Sequence, residues 1–327
     1  MKAMIYTEYG EPEVLHLKDV EKPTPKNNEI CVKVHATSVT TGDCNIRNFV
    51  FVPHGFTFMS RLVFGFNKPK KQILGLEFAG IVDTVGAEVT RFKPGDEVFG
   101  LAGVRMGSYA EYNCLPETVG VTLKPANLSF LDAVSIPNGA LTALTFLRKI
   151  GKIKSGQKVL INGASGSIGS YAVQLAKYFG AEVTGVCSGK NVELVKSLGA
   201  DHVIDYTKED FTKRHKTYDM ILDTVGKSPF LKSRPALKSG GVYLSAAAGI
   251  REFWQALWTS FASSEKVKVG MSSESQEDLI FLKQLVEEGH LKPVVDRCYP
   301  FEALPEAHRY VDAGHKKGNV VIEVIPA

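Results

Sequence analysis

A glycine-rich turn between a buried strand pattern and a helical pattern is the feature that most constrains this chain. The apolar run 159–161 suits a buried strand, and Gly163, Gly166 and Gly169 follow it at three-residue spacing. Residues 170–179 then repeat apolar side chains with the period of a helix. Glycine lets the main chain turn sharply and approach a phosphate closely, and a helix N-terminus favours anions. The pattern therefore predicts a dinucleotide-binding turn.

Further candidate strands follow the turn and alternate with helical stretches such as residues 192–198. This alternation predicts an α/β fold with a parallel, doubly wound sheet, whose ligands lie at the carboxyl ends of its strands. Those ends would place Tyr206, Thr224, Val225 and Ser245 around a cofactor. The expected later strands are residues 181–186, 200–205, 218–223, 241–245 and 267–270.

The residues after the second of these strands bear on the choice of cofactor. NAD-preferring sites carry an acidic residue there, which binds the ribose 2′-hydroxyl. This chain has Ser188 and Lys190 instead, and its next carboxylate, Glu193, falls inside the following helix. A hydroxyl and a cation suit a 2′-phosphate. We therefore expect NADP(H), with an ordinary surface lysine at position 190 as the alternative.

Composition excludes several classes of partner. The net charge of +4, from 39 basic and 35 acidic residues, is too balanced to indicate nucleic acid or an anionic membrane as a partner. No uncharged apolar run reaches the roughly 18 residues of a membrane span, so no membrane span is expected. The five cysteines are scattered and odd in number, which favours a reducing, cytoplasmic location over a disulfide framework.

The N-terminal part of the chain has a different pattern. Residues 1–125 contain short candidate strands separated by turn signals, which predicts a β-rich domain, such as a partly closed barrel. Residues 318–325 also read as a strand, which would return to one of the two sheets. We therefore expect a β-rich domain of residues 1–125, completed by about 271–327, and a nucleotide-binding domain of residues 126–270. The cleft between two such domains is the expected active site.

Several short segments together carry a family resemblance that covers nearly the whole chain. They are residues 41–47 (TGDCNIR), 75–80 (GLEFAG), 92–98 (FKPGDEV), 141–143 (LTA), 162–169 (NGASGSIG), 198–201 (LGAD) and 318–321 (GNVV). With them the chain resembles the zinc-free, quinone-oxidoreductase-like (enone-reductase-like) branch of the medium-chain dehydrogenase/reductase superfamily. The resemblance implies a GroES-like catalytic domain and a Rossmann domain, with NADP(H) in the cleft.

The same resemblance tests for a metal site. The zinc ligands of metal-dependent relatives correspond to Thr40, Leu76 and Asn138 in this chain. Leucine cannot bind a metal, and neutral hydroxyl and amide groups are poor zinc ligands. The closely spaced cysteines of the structural zinc lobe are also missing. We therefore expect no metal, and without that Lewis acid zinc-dependent alcohol oxidation ranks last.

Hydride transfer to an already polarised carbon needs no metal. The β-carbon of an α,β-unsaturated carbonyl, or a quinone, fits such chemistry, provided that the protein holds the acceptor and stabilises the developing enolate oxygen. The resemblance places Thr40 and Asn45 near the nicotinamide as hydrogen-bonding residues, where many relatives carry asparagine and tyrosine. Asp43 and Arg47, four residues apart, are expected to form an ion pair that fixes the helix rather than to act in catalysis.

The turn, the strand ends and the resemblance define a set of candidate cofactor-binding residues. Thr142 is included because its helix would approach the nicotinamide ribose, although a capping or packing role is equally plausible. Asn319 is included from the closing motif. The whole set is Thr142, Ala164, Ser165, Gly166, Ser167, Ile168, Gly169, Ser188, Lys190, Tyr206, Thr224, Val225, Ser245 and Asn319.

Two aromatic stretches bear on the substrate and on assembly. Six phenylalanines between positions 49 and 66 are expected either to form an apolar flap over the cleft or simply to pack between the domains. Trp254, Trp258 and Phe261 recur at helical spacing, which favours a core or subunit contact. An aromatic wall along the cleft would select an apolar acceptor. Relatives often dimerise through the last Rossmann strand, here near residues 267–270, so the resemblance implies a homodimer.

Three functions are consistent with these observations. The leading hypothesis is an NADPH-dependent reductase of small apolar enones or quinones. The second is an enoyl thioester reductase, in which Lys68, Lys70 and Lys71 would engage a phosphate of coenzyme A. The third is a regulatory protein that binds NADPH without turnover.

Overall fold

The computed structural model separates into two compact units. The discontinuous unit comprises Met1–Asn138 and Glu274–Ala327, and the central unit comprises Gly139–Ser273. The first boundary lies beyond residue 125, because the short helix Phe130–Ala133 packs against strands of the discontinuous unit. The structure describes residues 1–50, 57–118, 120–272 and 274–326.

The regular elements are numbered in chain order. The strands are β1 (Lys2–Ile5), β2 (His16–Asp19), β3 (Glu29–Val39), β4 (Glu77–Val85), β5 (Glu97–Leu101), β6 (Tyr112–Pro116), β7 (Val121–Leu123), β8 (Lys158–Asn162), β9 (Glu182–Cys187), β10 (His202–Asp205), β11 (Tyr218–Asp223), β12 (Leu237–Ser245), β13 (Lys266–Val269), β14 (Val295–Pro300) and β15 (Asn319–Glu323). The helices are α1 (Thr41–Asn48), α2 (Thr57–Phe64), α3 (Phe130–Ala133), α4 (Pro137–Leu144), α5 (Ser167–Tyr178), α6 (Val192–Ser197), α7 (Phe230–Ser233), α8 (Ile250–Ala262), α9 (Gln276–Glu287) and α10 (Leu304–Asp312).

A parallel sheet of six strands forms the centre of the central unit. Its order is β10-β9-β8-β11-β12-β13, and every neighbouring pair is parallel. Numbered from β8, this is the 3-2-1-4-5-6 order of a doubly wound nucleotide-binding sheet. Val159, Leu160 and Ile161 of β8 are completely buried, as expected of a parallel strand covered on both faces. The predicted α/β, doubly wound class is confirmed.

The discontinuous unit is β-rich, as predicted for a GroES-like domain. Its larger sheet follows the path β14-β15-β3-β4-β5-β7, with β6 also paired to β3. The C-terminal strand β15 pairs antiparallel with β3 and parallel with β14. The sequence left open which sheet this strand joins, and the pairing assigns it to the discontinuous unit. Long-range strand pairing therefore joins the two ends of the chain in one unit.

The aromatic face of α8 is exposed, so the prediction that it packs in the core is wrong. Trp254, Trp258 and Phe261 are 67%, 47% and 85% exposed. On the side of α8 toward its own sheet, Thr259 is completely buried and its Oγ1 accepts a hydrogen bond of 3.0 Å from the Val267 N–H. The alternative of a subunit contact stays a prediction.

One helical stretch, Phe130–Ile150, has the length and composition that a membrane-crossing helix needs. From the sequence, no membrane span was expected. Of its most apolar window, 83% is buried inside the protein. Burial of this kind is also found in core helices, so length and composition alone make this stretch a weak candidate.

Candidate active site

The glycine-rich turn joins β8 to α5 in the central unit. Gly163 lies in the left-handed region with φ of 81°, and Gly166 caps the start of α5. A Cβ atom at Gly169 would lie 2.1 Å from the carbonyl oxygen of Gly163, so a side chain there would push the helix away from the turn. The bare backbone at this helix N-terminus fits a pyrophosphate. The predicted cofactor residues in the turn are Ala164, Ser165, Gly166, Ser167, Ile168 and Gly169.

Three predicted residues reach the turn from neighbouring strands. Thr224 and Val225 follow β11, and a Cβ atom at Gly163 would lie 2.5 Å from a side-chain atom of each. Ser245 ends β12, in register with the last residue of β11. The structure therefore brings these residues together at the carboxyl edge of the sheet, beside the turn.

Asp223 organises this edge, and the sequence analysis gave it no role. Its buried Oδ1 accepts hydrogen bonds from Asn162 Nδ2 at 2.9 Å, the Val225 N–H at 3.0 Å and the Gly226 N–H at 3.1 Å. Its Oδ2 accepts one from the Tyr243 hydroxyl at 2.9 Å. A carboxylate directly after the apolar run 220–222 was the available sequence signal. The hydrogen bonds from Val225 and Gly226 hold the turn after β11 in place.

The ends of β9 and β10 carry three more of the predicted residues. Ser188 follows β9 directly, and Lys190 is exposed on the short turn behind it. Tyr206 follows β10, and its N–H donates to the carbonyl oxygen of Cys187 at 3.1 Å. All three therefore lie at the end of the sheet where the ribose that carries the 2′-position of a dinucleotide binds in doubly wound folds.

One carboxylate lies closer to the end of β9 than the sequence indicated. A Cβ atom at Gly189 would lie 2.6 Å from Oδ2 of Asp205, so Asp205, and not Glu193, is the first acidic group near the end of β9. Its Oδ1 accepts hydrogen bonds from Thr207 Oγ1 at 2.8 Å and from the Thr207 N–H at 3.1 Å. The hydrogen bond from the Thr207 hydroxyl is the main cause that lowers the pKa of Asp205. The pairing of β10 with β9 brings Asp205 beside Gly189. The order of residues along the chain does not reveal this proximity.

The last two predicted cofactor residues belong to different units. Thr142 is buried on α4, which approaches the start of α5, since a Cβ atom at Gly139 would lie 2.6 Å from Ser167 Oγ. Asn319 begins β15 in the discontinuous unit, and its side-chain amide donates to the carbonyl oxygen of Val294 at 3.1 Å. This contact gives Asn319 a structural role in holding the chain before β14.

In the discontinuous unit, Thr40 and Asp43 cap the start of α1. Thr40 Oγ1 accepts from the Asp43 N–H at 3.1 Å and the Thr40 N–H donates to Asp43 Oδ2 at 3.0 Å, which forms a capping box. Thr40 Oγ1 also donates to Asp43 Oδ2 at 2.6 Å. The Gly75 N–H donates to Asp43 Oδ1 at 3.2 Å. Complete burial raises the pKa of Asp43 to about 6, although these hydrogen bonds lower it. When Asp43 is ionised, the Thr40 hydroxyl proton is committed to it.

Arg47 does not pair with Asp43, so that part of the sequence prediction is wrong. The Arg47 side chain is completely buried and donates to the Gly10 carbonyl oxygen at 2.9 Å, to His308 Nδ1 at 2.8 Å and to Asp312 Oδ2 at 2.7 Å. Asp43 is used by the capping box instead. Both charged residues of α1 thus fix the helix, but each through its own partners.

His308 completes a buried polar cluster that the sequence analysis missed. Because a guanidinium only donates, His308 Nδ1 accepts from Arg47 and the ring proton lies on Nε2, which is 3.0 Å from the Tyr109 hydroxyl. Burial and the neighbouring Arg47 charge hold the pKa of His308 well below its usual range. The four-residue spacing of His308 and Asp312 on α10 was the one local signal. The neutral histidine therefore connects α1 to α10.

The positions that correspond to zinc ligands surround two buried carboxylates. The Asn138 N–H donates to Glu77 Oε1 at 2.7 Å, and Ser38 Oγ donates to Glu77 Oε2. Burial raises the pKa of Glu77 to about 7. Thr40 contacts Asp43, as described above, and Leu76 presents an apolar side chain. Within the ranges that the structure describes, no group of three or more His, Cys, Asp or Glu side chains is arranged to hold a metal ion.

Asn45 and the phenylalanine segment are the remaining predicted parts of the site. Asn45 is half-buried on α1. Phe58 and Phe66 are exposed and contact each other edge to face, with ring centroids 5.7 Å apart. Phe51 and Phe56 lie outside the described residues, so the flap stays a prediction.

Comparison with known proteins now places this geometry in a family. A model described as an alcohol dehydrogenase GroES-like domain matches residues 26–126, and one described as a zinc-binding dehydrogenase matches residues 198–322. A 2-methylene-furan-3-one reductase of Solanum lycopersicum is 34% identical over 100% of this chain and 80% of its own length. The chain belongs to the medium-chain dehydrogenase/reductase superfamily. Within it, the similarities point to the quinone-oxidoreductase-like branch.

Two further relatives match almost from end to end. A chloroplast envelope quinone oxidoreductase homolog of Arabidopsis thaliana is 33% identical and covers 99% of this chain and 98% of its own. The solved quinone oxidoreductase of Coxiella burnetii superposes with a TM-score of 0.88 at 32% identity, over 99% of both chains. This superfamily member is accordingly an oxidoreductase that uses a nicotinamide cofactor.

Replacing Arg47 with lysine should destabilise the protein by about 3 kcal/mol, because a single ammonium cannot serve Gly10, His308 and Asp312 together. Urea unfolding measures the change. The matched control is Arg309→Lys, whose parent residue forms an exposed pair with Glu13 at 2.8 Å and should cost at most about 1 kcal/mol. Equal losses in the two variants would contradict the buried cluster.

Proposed function

We propose that the protein is an NADPH-dependent reductase that delivers hydride to an apolar α,β-unsaturated carbonyl or to a quinone without a metal ion. The observation that carries the proposal is the identity of Thr40, Leu76 and Asn138 at the positions of zinc ligands, since none supplies a thiolate or an imidazole. The curated relatives support the acceptor class, because their names include quinone oxidoreductases and an NADPH-dependent alkenal/one oxidoreductase.

The central unit fits a phosphorylated dinucleotide on its own geometry. The cradle between Gly163 and Gly169 leaves room for a pyrophosphate that a Cβ atom would fill. Ser188 and Lys190 stand at the strand end that faces the ribose 2′-position in this fold. Asp205 is hydrogen-bonded to Thr207, and the exposed Lys190 supplies the positive charge that would meet a 2′-phosphate. When bound, the reduced nicotinamide supplies the hydride.

The polar side chains at α1 would have different roles, one in positioning the helix and one in hydrogen bonding to the substrate. Thr40 is expected to contribute a hydrogen bond near the nicotinamide, but while Asp43 is ionised the Thr40 hydroxyl proton is donated to Asp43 Oδ2. Thr40 therefore acts by positioning α1. Asn45 retains an amide donor on the same helix, and we assign it the hydrogen bond toward the developing enolate oxygen.

The enoyl thioester alternative loses support from the lysine contacts. Lys70 Nζ donates to the carbonyl oxygen of Leu62, and Lys71 Nζ donates to that of Arg105 at 2.9 Å. Two of the three lysines thus donate hydrogen bonds to backbone carbonyl oxygens, and a coenzyme A phosphate would have to compete with these bonds. The regulatory alternative differs from the proposed function in turnover alone.

Assembly and location complete the proposal. β13 pairs with β12 at the end of the parallel sheet, and we propose that the edge of β13 joins a second copy in a homodimer. We propose the cytoplasm as the location, on the scattered cysteines alone, whereas curated relatives include mitochondrial and chloroplast proteins.

Lys190→Ala should weaken NADPH binding by about tenfold or more, since one charge-assisted contact to phosphate is lost, and should leave NADH binding unchanged. Calorimetric titration with each cofactor measures this difference. Lys196→Ala is the matched control, because Lys196 is an exposed lysine that pairs with Glu193 at 3.0 Å. Equal weakening of NADPH and NADH would refute the assignment.

The acceptor class and the absence of metal can be tested together. Purified protein with NADPH should oxidise the cofactor in the presence of apolar enones or quinones, at a rate that a chelator does not change. A rate abolished by chelator and restored by zinc would overturn the metal-free proposal. Tight NADPH binding without turnover on any enone, quinone, enoyl thioester or aldehyde would favour the regulatory alternative.

Asn45→Leu should lower kcat by about 100-fold, since a donor to the developing oxyanion is removed, while NADPH affinity stays the same. Thr40→Ser, which keeps the hydroxyl bonded to Asp43, should retain activity and stability. Steady-state kinetics and cofactor titration separate the two effects. A full-rate Asn45→Leu variant would remove Asn45 from the mechanism.

A further inference from the structure

Cys31 and Cys114 lie directly opposite each other in the discontinuous unit. Strands β3 and β6 run antiparallel, and these two residues are Cα partners. Such partners share one face, with Cβ atoms about 4.5–5.5 Å apart, and a disulfide needs about 3.5–4.5 Å. Both sulfurs also approach one acceptor, the carbonyl oxygen of Pro23, at 3.8 Å from Cys31 Sγ and 3.7 Å from Cys114 Sγ. The two thiols thus converge on the same carbonyl oxygen from paired strands.

We propose that Cys31 and Cys114 are a redox modification site, at which a hydroperoxide converts the two thiols into a reversible disulfide. This chemistry is independent of hydride transfer, and its test requires no turnover. The sequence analysis treated the cysteines as scattered, because the 31/114 pairing arises only from strand register.

Access to the pair is provided by a surface cavity of about 450 Å³. Cys31 is completely buried, whereas Cys114 is partly exposed and lines this cavity. Lys26, Lys71 and Arg105 also line it, against the single carboxylate of Glu29. Of the two thiols, Cys114 is the one that lines the cavity, so the oxidant meets Cys114 first.

The pair loses its first proton more readily than an ordinary thiol. The pKa of Cys31 is lowered, chiefly because its sulfur accepts a hydrogen bond from the Cys114 thiol and also because the Lys22 ammonium lies near. The pKa of Cys114 is raised, since that thiol retains the shared proton. Lys22 is itself bonded to Asp83 at 2.7 Å, which moderates its effect. One negative charge is thus shared between two neighbouring sulfurs.

The reaction balances with the hydroperoxide as the oxidant. The shared proton moves to Cys31, and the resulting Cys114 thiolate at the cavity wall attacks the hydroxyl oxygen of the peroxide. The O–O bond breaks, the leaving alkoxide or hydroxide takes up a proton, and Cys114 becomes a sulfenic acid. Cys31 then attacks the sulfur of this group, the S–S bond forms, and the leaving hydroxide takes the Cys31 proton as water. Two thiols lose two electrons, which reduce the peroxide, and β6 becomes covalently joined to β3.

Peptide mapping of the folded full-length protein tests the proposal. After treatment with hydrogen peroxide, we expect the loss of two of the five thiols, a mass decrease of two hydrogen atoms and one cross-linked peptide that joins Cys31 to Cys114. A thiol reductant should reverse all three changes. Cys298→Ser, which removes an exposed cysteine, should behave as the wild type. Cys31→Ser should stop at a sulfenic acid on Cys114 that a 1,3-diketone traps.

The wild-type map alone can overturn the proposal, so the test does not depend on the folding of any variant. Oxidation that consumes Cys298 while Cys31 and Cys114 remain thiols would exclude the site. A mixture of pairings that includes Cys44 or Cys187 would show instead that the chain unfolds before it is oxidised, and would equally exclude it.

Discussion

The close approach of α5 to the Gly163 carbonyl is the constraint on which the nucleotide half of this protein depends. With no side chain at position 169, the helix begins beside the end of β8, and its N-terminus opens onto the edge of the sheet. Asp223 then ties the end of β8 to the turn after β11. A few backbone contacts thus determine where the phosphates of a dinucleotide can lie, before any side chain chooses between NADP(H) and NAD(H).

The other unit is organised around two buried charges on a single short helix. Asp43 at the start of α1 and Arg47 at its end are both fully buried, and each is satisfied by a separate set of hydrogen bonds. Since an unpaired buried charge is costly, this arrangement sets the position and orientation of α1 closely. The helix that carries Asn45 is therefore held as a rigid element.

The part of the structure that was predictable from sequence is the part with local causes. The turn after β8 could be foreseen because its glycines are adjacent in the chain and strand-buried residues such as Leu160 form a short apolar run. The partner of Arg47 could not, because His308 lies 261 residues away and the nearer Asp43 was the obvious choice. Asp205 was missed for the same reason, since only the pairing of β9 with β10 brings it beside Gly189.

The outward-facing aromatic face of α8 has a spectroscopic consequence. The chain contains two tryptophans, Trp254 and Trp258, and both lie on this solvent-facing helix of the central unit. Tryptophan emission from this protein therefore reports one patch of surface. A change in its wavelength would register an event at α8, whereas melting confined to the discontinuous unit, which contains no tryptophan, would leave this emission unchanged.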